Sequence, residues 1–292
     1  MVFFCDFESF DDVMKAYADD MVVPQTKQAW EVLKKYFEKI GSHTCEETKV
    51  KFSGQCFSCK EMLKSIDVSA KSRERLLEEI AKLVCTNDQK VSEWKGFTEW
   101  AEKEGSKYDV IIDGANVGYF RKKVDKNSKS YADLEQIDWV AKHYKRKGKQ
   151  PLVFLHLKHM EESILNEASR EVLEKWNREN TIKQIPPNTN DDWYWMWLAI
   201  RNGSGCLVVS NDEGRDHKFG MLQPFSFDVW TERHQVYFKF GKWKDGRRQI
   251  LVDEPPLYSK RVQFEGGHWH VPVEESNDWL CVRKKSNGNL KG

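Results

Sequence analysis

What this chain has little of removes whole classes of protein. No apolar run reaches the roughly eighteen residues needed to cross a bilayer as a helix, so the sequence offers no membrane span. Forty-seven Lys and Arg stand against forty-six Asp and Glu, a formal net charge of +1, so the molecule as a whole lacks the basic excess of a general nucleic-acid binder. The seven cysteines are odd in number and lack the dense paired spacing of a secreted disulfide scaffold; only Cys56 and Cys59 form a CxxC pair, which fits a reducing compartment. Asp6, Glu8, Asp11 and Asp12 near the start are unlike an acid-poor transit peptide, so no targeting segment is read in this chain. There is no internal repeat or low-complexity stretch. Neither a Ser-His-Asp order nor a Gly-rich phosphate loop competes for a chemical role.

What is present is a chain that folds. Hydrophobic residues make up 39% and aromatics 13%, with twelve Trp, well above what a disordered chain carries. At 292 residues, one large α/β unit with a smaller module is the natural division. Basic residues do gather locally, in Arg121, Lys122, Lys123, Lys126 and Lys129, in Lys142, Lys145, Arg146, Lys147 and Lys149, and in Arg283, Lys284 and Lys285. Each run by itself has the composition of a solvated face.

Along the chain, Val13, Tyr17, Met21, Trp30, Leu33, Phe37 and Ile40 recur at helical spacing around Pro24, a helical hairpin over residues 10–40. Helices are expected over 72–84 and 91–104. At Lys107 the character changes: Tyr108 to Gly114 is an unbroken apolar run ending in a turn, the pattern of a strand buried on both faces of a parallel sheet. Helical spacing over 131–147, an apolar run over 151–157, a helix over 160–177, a short strand at 182–185, a Trp-rich helix from Asp191 to Arg201 and strands at 206–210 and 235–240 complete a doubly wound α/β pattern. The segment Val262 to Cys281, with His268, Trp269, His270, Trp279 and Cys281, has the composition of a small β-rich metal module.

In an open parallel sheet, ligands collect beyond the carboxyl ends of the strands. Acids stand there: Asp113 at the end of the first buried strand, Asp191 and Asp192 at the mouth of the Trp-rich helix, and Asp212 after Leu207 to Asn211, with Asp216 one turn on. Each acid alone serves equally as a helix cap or a turn. Together, converging carboxylates repel one another unless a divalent ion relieves them, and magnesium prefers such oxygen donors.

The motifs Asp113-Gly-Ala-Asn-Val-Gly, Asn190-Asp191-Asp192-Trp193-Tyr194 and Ser210-Asn211-Asp212-Glu213-Gly-Arg215-Asp216-His217 resemble the metal-binding motifs of the NYN nuclease domain of protein-only RNase P, over nearly the whole chain. The resemblance implies a Rossmann-like, NYN/PIN-like parallel sheet with flanking helices, N-terminal helices, and a small discontinuous zinc module. It implies a magnesium-dependent endoribonuclease that removes the 5′ leader of precursor tRNA, leaving a 5′-phosphate and a 3′-hydroxyl. Asp113, Asp191, Asp192 and Asp212 become catalytic ligands of one or two magnesium ions, with manganese as substitute; Asp216 joins as a further ligand, and Asn116 and His217 as supports. Cys56 and Cys59 cannot close a tetrahedral zinc site alone; Trp269-His270-Val271-Pro272 and Trp279-Leu280-Cys281 resemble the other half of the family's structural site, giving Cys56, Cys59, His270 and Cys281, with His268 a rival to His270.

The resulting division is residues 1–45 as the helical hairpin, 46–104 as the first half of a central module, 105–254 as the nuclease domain and 255–292 as the second half of the module. The family's N-terminal pentatricopeptide array is missing here or reduced to the hairpin. The likeness leans toward the animal mitochondrial members, which implies the mitochondrial matrix and two protein partners, a tRNA methyltransferase subunit and a short-chain dehydrogenase subunit. Another NYN/PIN-like endoribonuclease and a catalytically silent RNA-binding scaffold are the alternatives.

Overall fold

A computed structural model of the chain describes residues 26–41, 43–65, 67–121, 131–185, 189–212, 224–244, 247–274 and 276–285. Its helices, in chain order, are α1 (Lys27–Ile40), α2 (Ala70–Val84), α3 (Asp88–Glu104), α4 (Gly114–Tyr119), α5 (Leu134–Arg146), α6 (Glu167–Arg178), α7 (Asp191–Asn202) and α8 (Pro224–His234). The strands are β1 (His43–Lys49), β2 (Val110–Asp113), β3 (Pro151–His156), β4 (Ile182–Ile185), β5 (Leu207–Val209), β6 (Gln235–Lys244), β7 (Arg247–Asp253), β8 (Gln263–Glu265), β9 (His268–Pro272) and β10 (Asp278–Lys284). They fall into two units. One runs from Asp67 to Pro255; the other joins the residues up to Ile66 with those from Pro256 onward.

In the Asp67–Pro255 unit, every residue of β2 and β3 is buried, as the unbroken apolar runs require of strands covered on both faces. The sheet order is β4-β3-β2-β5-β6-β7, with β2 to β6 parallel and β7 antiparallel on the edge. From β2 the chain crosses to β3 on one side, whereas from the neighbouring β5 it crosses to β6 on the other. Between the carboxyl ends of β2 and β5 the loops therefore diverge, which opens a crevice. Two glycines of the segment after β2 are required by close packing: a Cβ on Gly114 would sit 2.5 Å from the Phe154 carbonyl oxygen, and one on Gly118 would sit 2.6 Å from the Ala132 Cβ.

The other unit is an antiparallel sheet in the order β1-β10-β9-β8. Helix α1 starts where the Thr26 hydroxyl accepts the Ala29 N–H and stops at Gly41, whose φ of 72° is left-handed. Its buried Trp30 and Phe37 pack with Val262, Trp269, Val271, Leu280 and Val282.

Several expectations shift. Residues 10–25 of the expected hairpin lie outside the described residues. The helix expected from residue 160 begins only at Glu167, because the Asn166 side chain accepts the Ser169 N–H and nucleates the helix there; short 3₁₀ turns at Leu157–His159 and Glu162–Ile164 fill the gap. Strand β6 runs on to Lys244 and turns back as β7, which the sequence reading did not contain. Helices α2 and α3, placed by sequence with the CxxC segment, belong to the unit that starts at Asp67. The aromatic face of α3 explains this: Trp94 and Phe97 lie with ring centroids 5.1 Å and 4.8 Å from Tyr194, and Phe97 is 6.3 Å from Phe154 of β3.

One buried ion network ties α5 to α6. Asp138 is 2% exposed, accepts from the Trp176 indole N–H at 2.9 Å, and pairs with Lys142 at 2.8 Å and with Lys175. Burial would raise this carboxyl, but the Lys142, Lys175 and Trp176 donors outweigh it and hold the group below the usual carboxylate range. A depressed folded pKa contributes stability above the unfolded value, and that contribution is lost as pH falls through the folded one. Asp138→Asn is therefore expected to cost about 1–3 kcal/mol in urea unfolding at neutral pH. The gap to wild type should narrow below about pH 4; a gap that does not change with pH would show that packing, not charge, is what the substitution removes.

Candidate active site and metal centre

The crevice between β2 and β5 is lined by Asp113, Ala115, Asn116, Tyr119, Phe120, Asp191, Asp192, Asn211 and Asp212. Four acids nominated by sequence thus share one cleft. Asp216 and His217 lie outside the described residues.

Asp113 ends β2 and caps α4. It is 4% exposed, and its carboxylate accepts the Asn116 N–H at 2.9 Å and the Ser210 hydroxyl at 2.9 Å. Burial, then repulsion from Asp192 and Asp191, pushes the group up to about 7 despite those hydrogen bonds. Asp191 is raised too, first by burial and then by Asp192, with His156 and Lys158 opposing the rise. The Asn190 side chain caps α7 by accepting the Asp192 N–H at 3.0 Å, and the Asp192 carboxylate accepts the Trp195 indole N–H at 3.1 Å, so the helix that presents these acids also aims one of them.

Three groups that the sequence reading did not nominate hold the acids in place. The Ser210 oxygen donates to Asp113 and accepts the Asp212 N–H at 3.1 Å, coupling β2 to the end of β5. The Gln235 amide donates to the carbonyls of Ser210 at 2.9 Å and Asp212 at 2.6 Å. Asn211 is fixed from two sides: its N–H donates to Asn116 Oδ1 at 2.9 Å, and its side chain exchanges hydrogen bonds with the Phe238 backbone at 3.0 Å and 2.9 Å. Ser, Asn and Gln after strands are common turn residues, so only their placement marks them. The cleft suits a hard divalent cation, since its donors are oxygens, one carboxyl is buried with two like charges beside it, and an ion would relieve both burdens.

A separate centre sits in the antiparallel unit. Cys56, Cys59, His270 and Cys281 bring one ligand atom each to within 4.8 Å of one another, a set that could hold a zinc ion. Among the described residues the cleft acids form no such closed group. The CxxC turn reverses through Lys60, whose φ is 69°, with Lys60 N–H donating to the Cys56 carbonyl at 3.1 Å. His270 Nε2 lies 3.1 Å from Cys59 Sγ and 4.0 Å from Cys281 Sγ, and His270, not His268, completes the group. Burial and His268 push the imidazole down to about 4, which keeps it neutral and able to ligate. Burial raises the Cys59 and Cys281 thiols, while at Cys56 it is outweighed by the Cys59 and Ser58 backbone N–H groups. Three crowded sulfurs cannot all ionise without a cation, and a tetrahedral zinc resolves the conflict.

Fold and cleft together define the class, an α/β domain with an acidic crevice at the carboxyl edge of a parallel sheet. Arabidopsis thaliana nuclear protein-only RNase P 2 has a similar structure, with a TM-score of 0.76 at 26% identity, covering 94% of this chain and 63% of that one. The family model described as Protein-only RNase P matches residues 50–285, and the chain belongs to that family. Among curated proteins, Proteinaceous RNase P 3 of Arabidopsis thaliana is 34% identical over 85% of this chain and 44% of its own length, and Proteinaceous RNase P 2 is 31% identical over 86% and 50%. The Mitochondrial ribonuclease P catalytic subunit of Rattus norvegicus is 24% identical over 87% and 44%. This chain therefore spans half or less of the length of these curated relatives, and its identity to the two plant proteins exceeds that to the rat one, although the sequence likeness leaned toward the animal members.

Two outcomes follow. A carboxyl raised by folding lends stability that is whole below its unfolded pKa, near 4, and is lost as pH rises to the folded value. In magnesium-free buffer the melting midpoint is expected to fall between about pH 5 and about pH 8; Asp113→Asn should flatten the fall and be about 1–3 kcal/mol more stable than wild type at the alkaline end. An unchanged slope would contradict the burial of charge at Asp113. Elemental analysis is expected to find about one zinc per chain, and Cys281→Ser should lower both metal content and melting point; a folded zinc-free chain that melts as the loaded one does would count against the site.

Proposed function

We propose that this chain is a magnesium-dependent endoribonuclease that removes the 5′ leader of precursor tRNA, leaving a 5′-phosphate on the tRNA. The observation that carries the reading is the convergence of Asp113, Asp191, Asp192 and Asp212 on the β2/β5 crevice in a member of the Protein-only RNase P family. Magnesium, when bound, activates an attacking water and neutralises charge on the leaving oxygen.

The residues of the chain do the rest. Asp113, Asp191, Asp192 and Asp212 would hold the ion directly or through water, with Asp216 as a further ligand and His217 as a support of the site. Ser210 and Asn116 fix the Asp113 carboxylate, so no reorganisation is needed as charge develops. Trp195 fixes Asp192 in the same way. Cys56, Cys59, His270 and Cys281 hold zinc as a structural tie between the early and late segments of the chain, with metal loss loosening that unit and leaving the cleft acids in place.

The relatives' names extend the reading to place and partners. One relative is described as mitochondrial and another, Proteinaceous RNase P 1, as chloroplastic/mitochondrial. An organellar, mitochondrial setting is the one we adopt. The rat protein is named a catalytic subunit, and a tRNA methyltransferase and a short-chain dehydrogenase are the proposed companions. The charge of this chain supports help from partners: beyond the net +1, Lys142, Lys145 and Lys147 of the central basic run are engaged by Asp138, Glu179 and Glu254. Less of that run is left for phosphates.

The test is incubation of labelled precursor tRNA with the chain, with and without magnesium and the two partners, at physiological salt. Magnesium-dependent release of the 5′ leader is expected, slow for the chain alone and faster with partners. Asp113→Asn and Asp212→Asn should each lower the rate by at least about a hundredfold. Near-normal turnover by both variants would sink the assignment of the cleft, and efficient multiple turnover without partners would refute the dependence on them.

A further inference from the structure

We propose that the β6–β7 hairpin is an RNA-binding arm, on which unpaired nucleotides beside the cleaved phosphate stack against Trp243. This rests on the reading of the cleft as an RNA-cutting site.

The arm starts where the cleft is. Gln235 and Val236 pair with Val208 and Val209 at the end of β5, and β6 then continues from Tyr237 to Lys244. Strand β6 thus runs on past Val209, the last residue of β5, at the carboxyl edge of the sheet, the edge that bears Asp113 and Asp212. Its root is fixed, because Phe238 exchanges two backbone hydrogen bonds with the side chain of Asn211, the residue before Asp212.

A row of aromatic rings leads outward from the cleft. Phe120 lines the acidic crevice and packs on Phe238 and Phe240 at centroid distances of 5.1 Å and 5.7 Å. Trp139 of α5 continues the row, 6.2 Å from Phe240 and 5.4 Å from Trp243. Phe238 and Phe240 share a face by simple alternation, whereas Trp243, three residues further, would point the other way in a regular strand. The register shift between Phe240 and Trp243 turns it back, and such bulges commonly re-aim a side chain beside a functional site. Trp243 nevertheless is 60% exposed.

The charge matches a polyanion. Between Lys239 and Arg248 the chain carries five basic residues and one acidic residue, in a protein whose net charge is only +1. Lys239 and Lys242 are exposed, and the Arg248 guanidinium lies 5.9 Å from the Trp243 ring. Among the described residues no carboxylate pairs with Lys239, Lys242 or Arg248, unlike Lys142, Lys145 and Lys147. Lysines on an edge hairpin also deter edge-to-edge aggregation, but that role does not require a tryptophan re-aimed by a bulge and left open to water. An open indole flanked by cations is the combination that binds single-stranded RNA, by base stacking and phosphate contact.

The test uses the full chain and a fluorescein-labelled single-stranded oligoribonucleotide of about ten nucleotides, followed by anisotropy without magnesium so that nothing is cut. Trp243→Ala is expected to weaken binding about tenfold, with Trp243→Phe retaining most of it. Lys242→Ala should shallow the salt dependence by about one ion. In cleavage of precursor tRNA, Trp243→Ala should raise the half-saturating concentration by a similar factor, with the effect on maximal rate smaller. Because Trp243 is largely exposed, an unchanged melting point is expected to accompany the loss, and Arg248→Ala gives a second, independent variant. Oligonucleotide binding by Trp243→Ala at wild-type strength would overturn the arm even if the chain cuts RNA. Conversely, binding through Trp243 by a wild-type chain that cuts no precursor tRNA even with magnesium and both partners present would uphold the arm and overturn the nuclease reading.

Discussion

Asp113 is a carboxylate with almost no contact with water, held by Ser210 and Asn116 and crowded by Asp191 and Asp192. A protein gains nothing in stability from such a group, and its neighbours are arranged around keeping it there. Gly114 lets the chain turn against β3 directly after it, Ser210 ties it to the end of β5, and Asn116 reaches across to Asn211. The strand order supplies the site, since only between β2 and β5 do the following loops part. Strain from buried like charge, placed at the opening of a sheet, is how a fold keeps a site for a divalent cation.

The Cys/His centre solves a different problem. Its ligands come from an early segment at Cys56 and Cys59 and a late one at His270 and Cys281, and the unit that contains them is assembled from the two sequence segments that flank Asp67–Pro255. Such a unit has few local contacts to hold its parts together before folding is complete. The core of Trp30, Phe37, Trp269 and Leu280 and the four-ligand cluster serve that purpose jointly. The two groups differ in kind: one is a closed set of sulfur and imidazole donors, the other an open cleft lined with oxygen.

Much of this was legible in the residues. Apolar runs ending in acids located β2 and β5, and the acids nominated there do line one cleft; the pairing of Cys56 and Cys59 with His270 and Cys281 was likewise readable from motif likeness. Other features left no periodic signal. Ser210 and Gln235 act through placement alone, and α6 begins late because a single Asn166 side chain caps it. The basic run at 142–149 looked free in sequence, yet three of its lysines meet carboxylates from elsewhere in the same unit. The hairpin was missed for a related reason: its aromatic face depends on a bulge, and a bulge breaks the alternation by which strands are recognised.

We propose that a divalent cation entering the cleft displaces the Asp113 proton, and calorimetric titration of the zinc-loaded chain with manganese measures that exchange directly. Titrations in buffers of different ionisation heat count the protons released. Close to one proton is expected to be released at about pH 6 and almost none at about pH 8.5, with Asp113→Asn binding at least about tenfold more weakly and releasing none. Binding with the same affinity and no proton release in both proteins would contradict it.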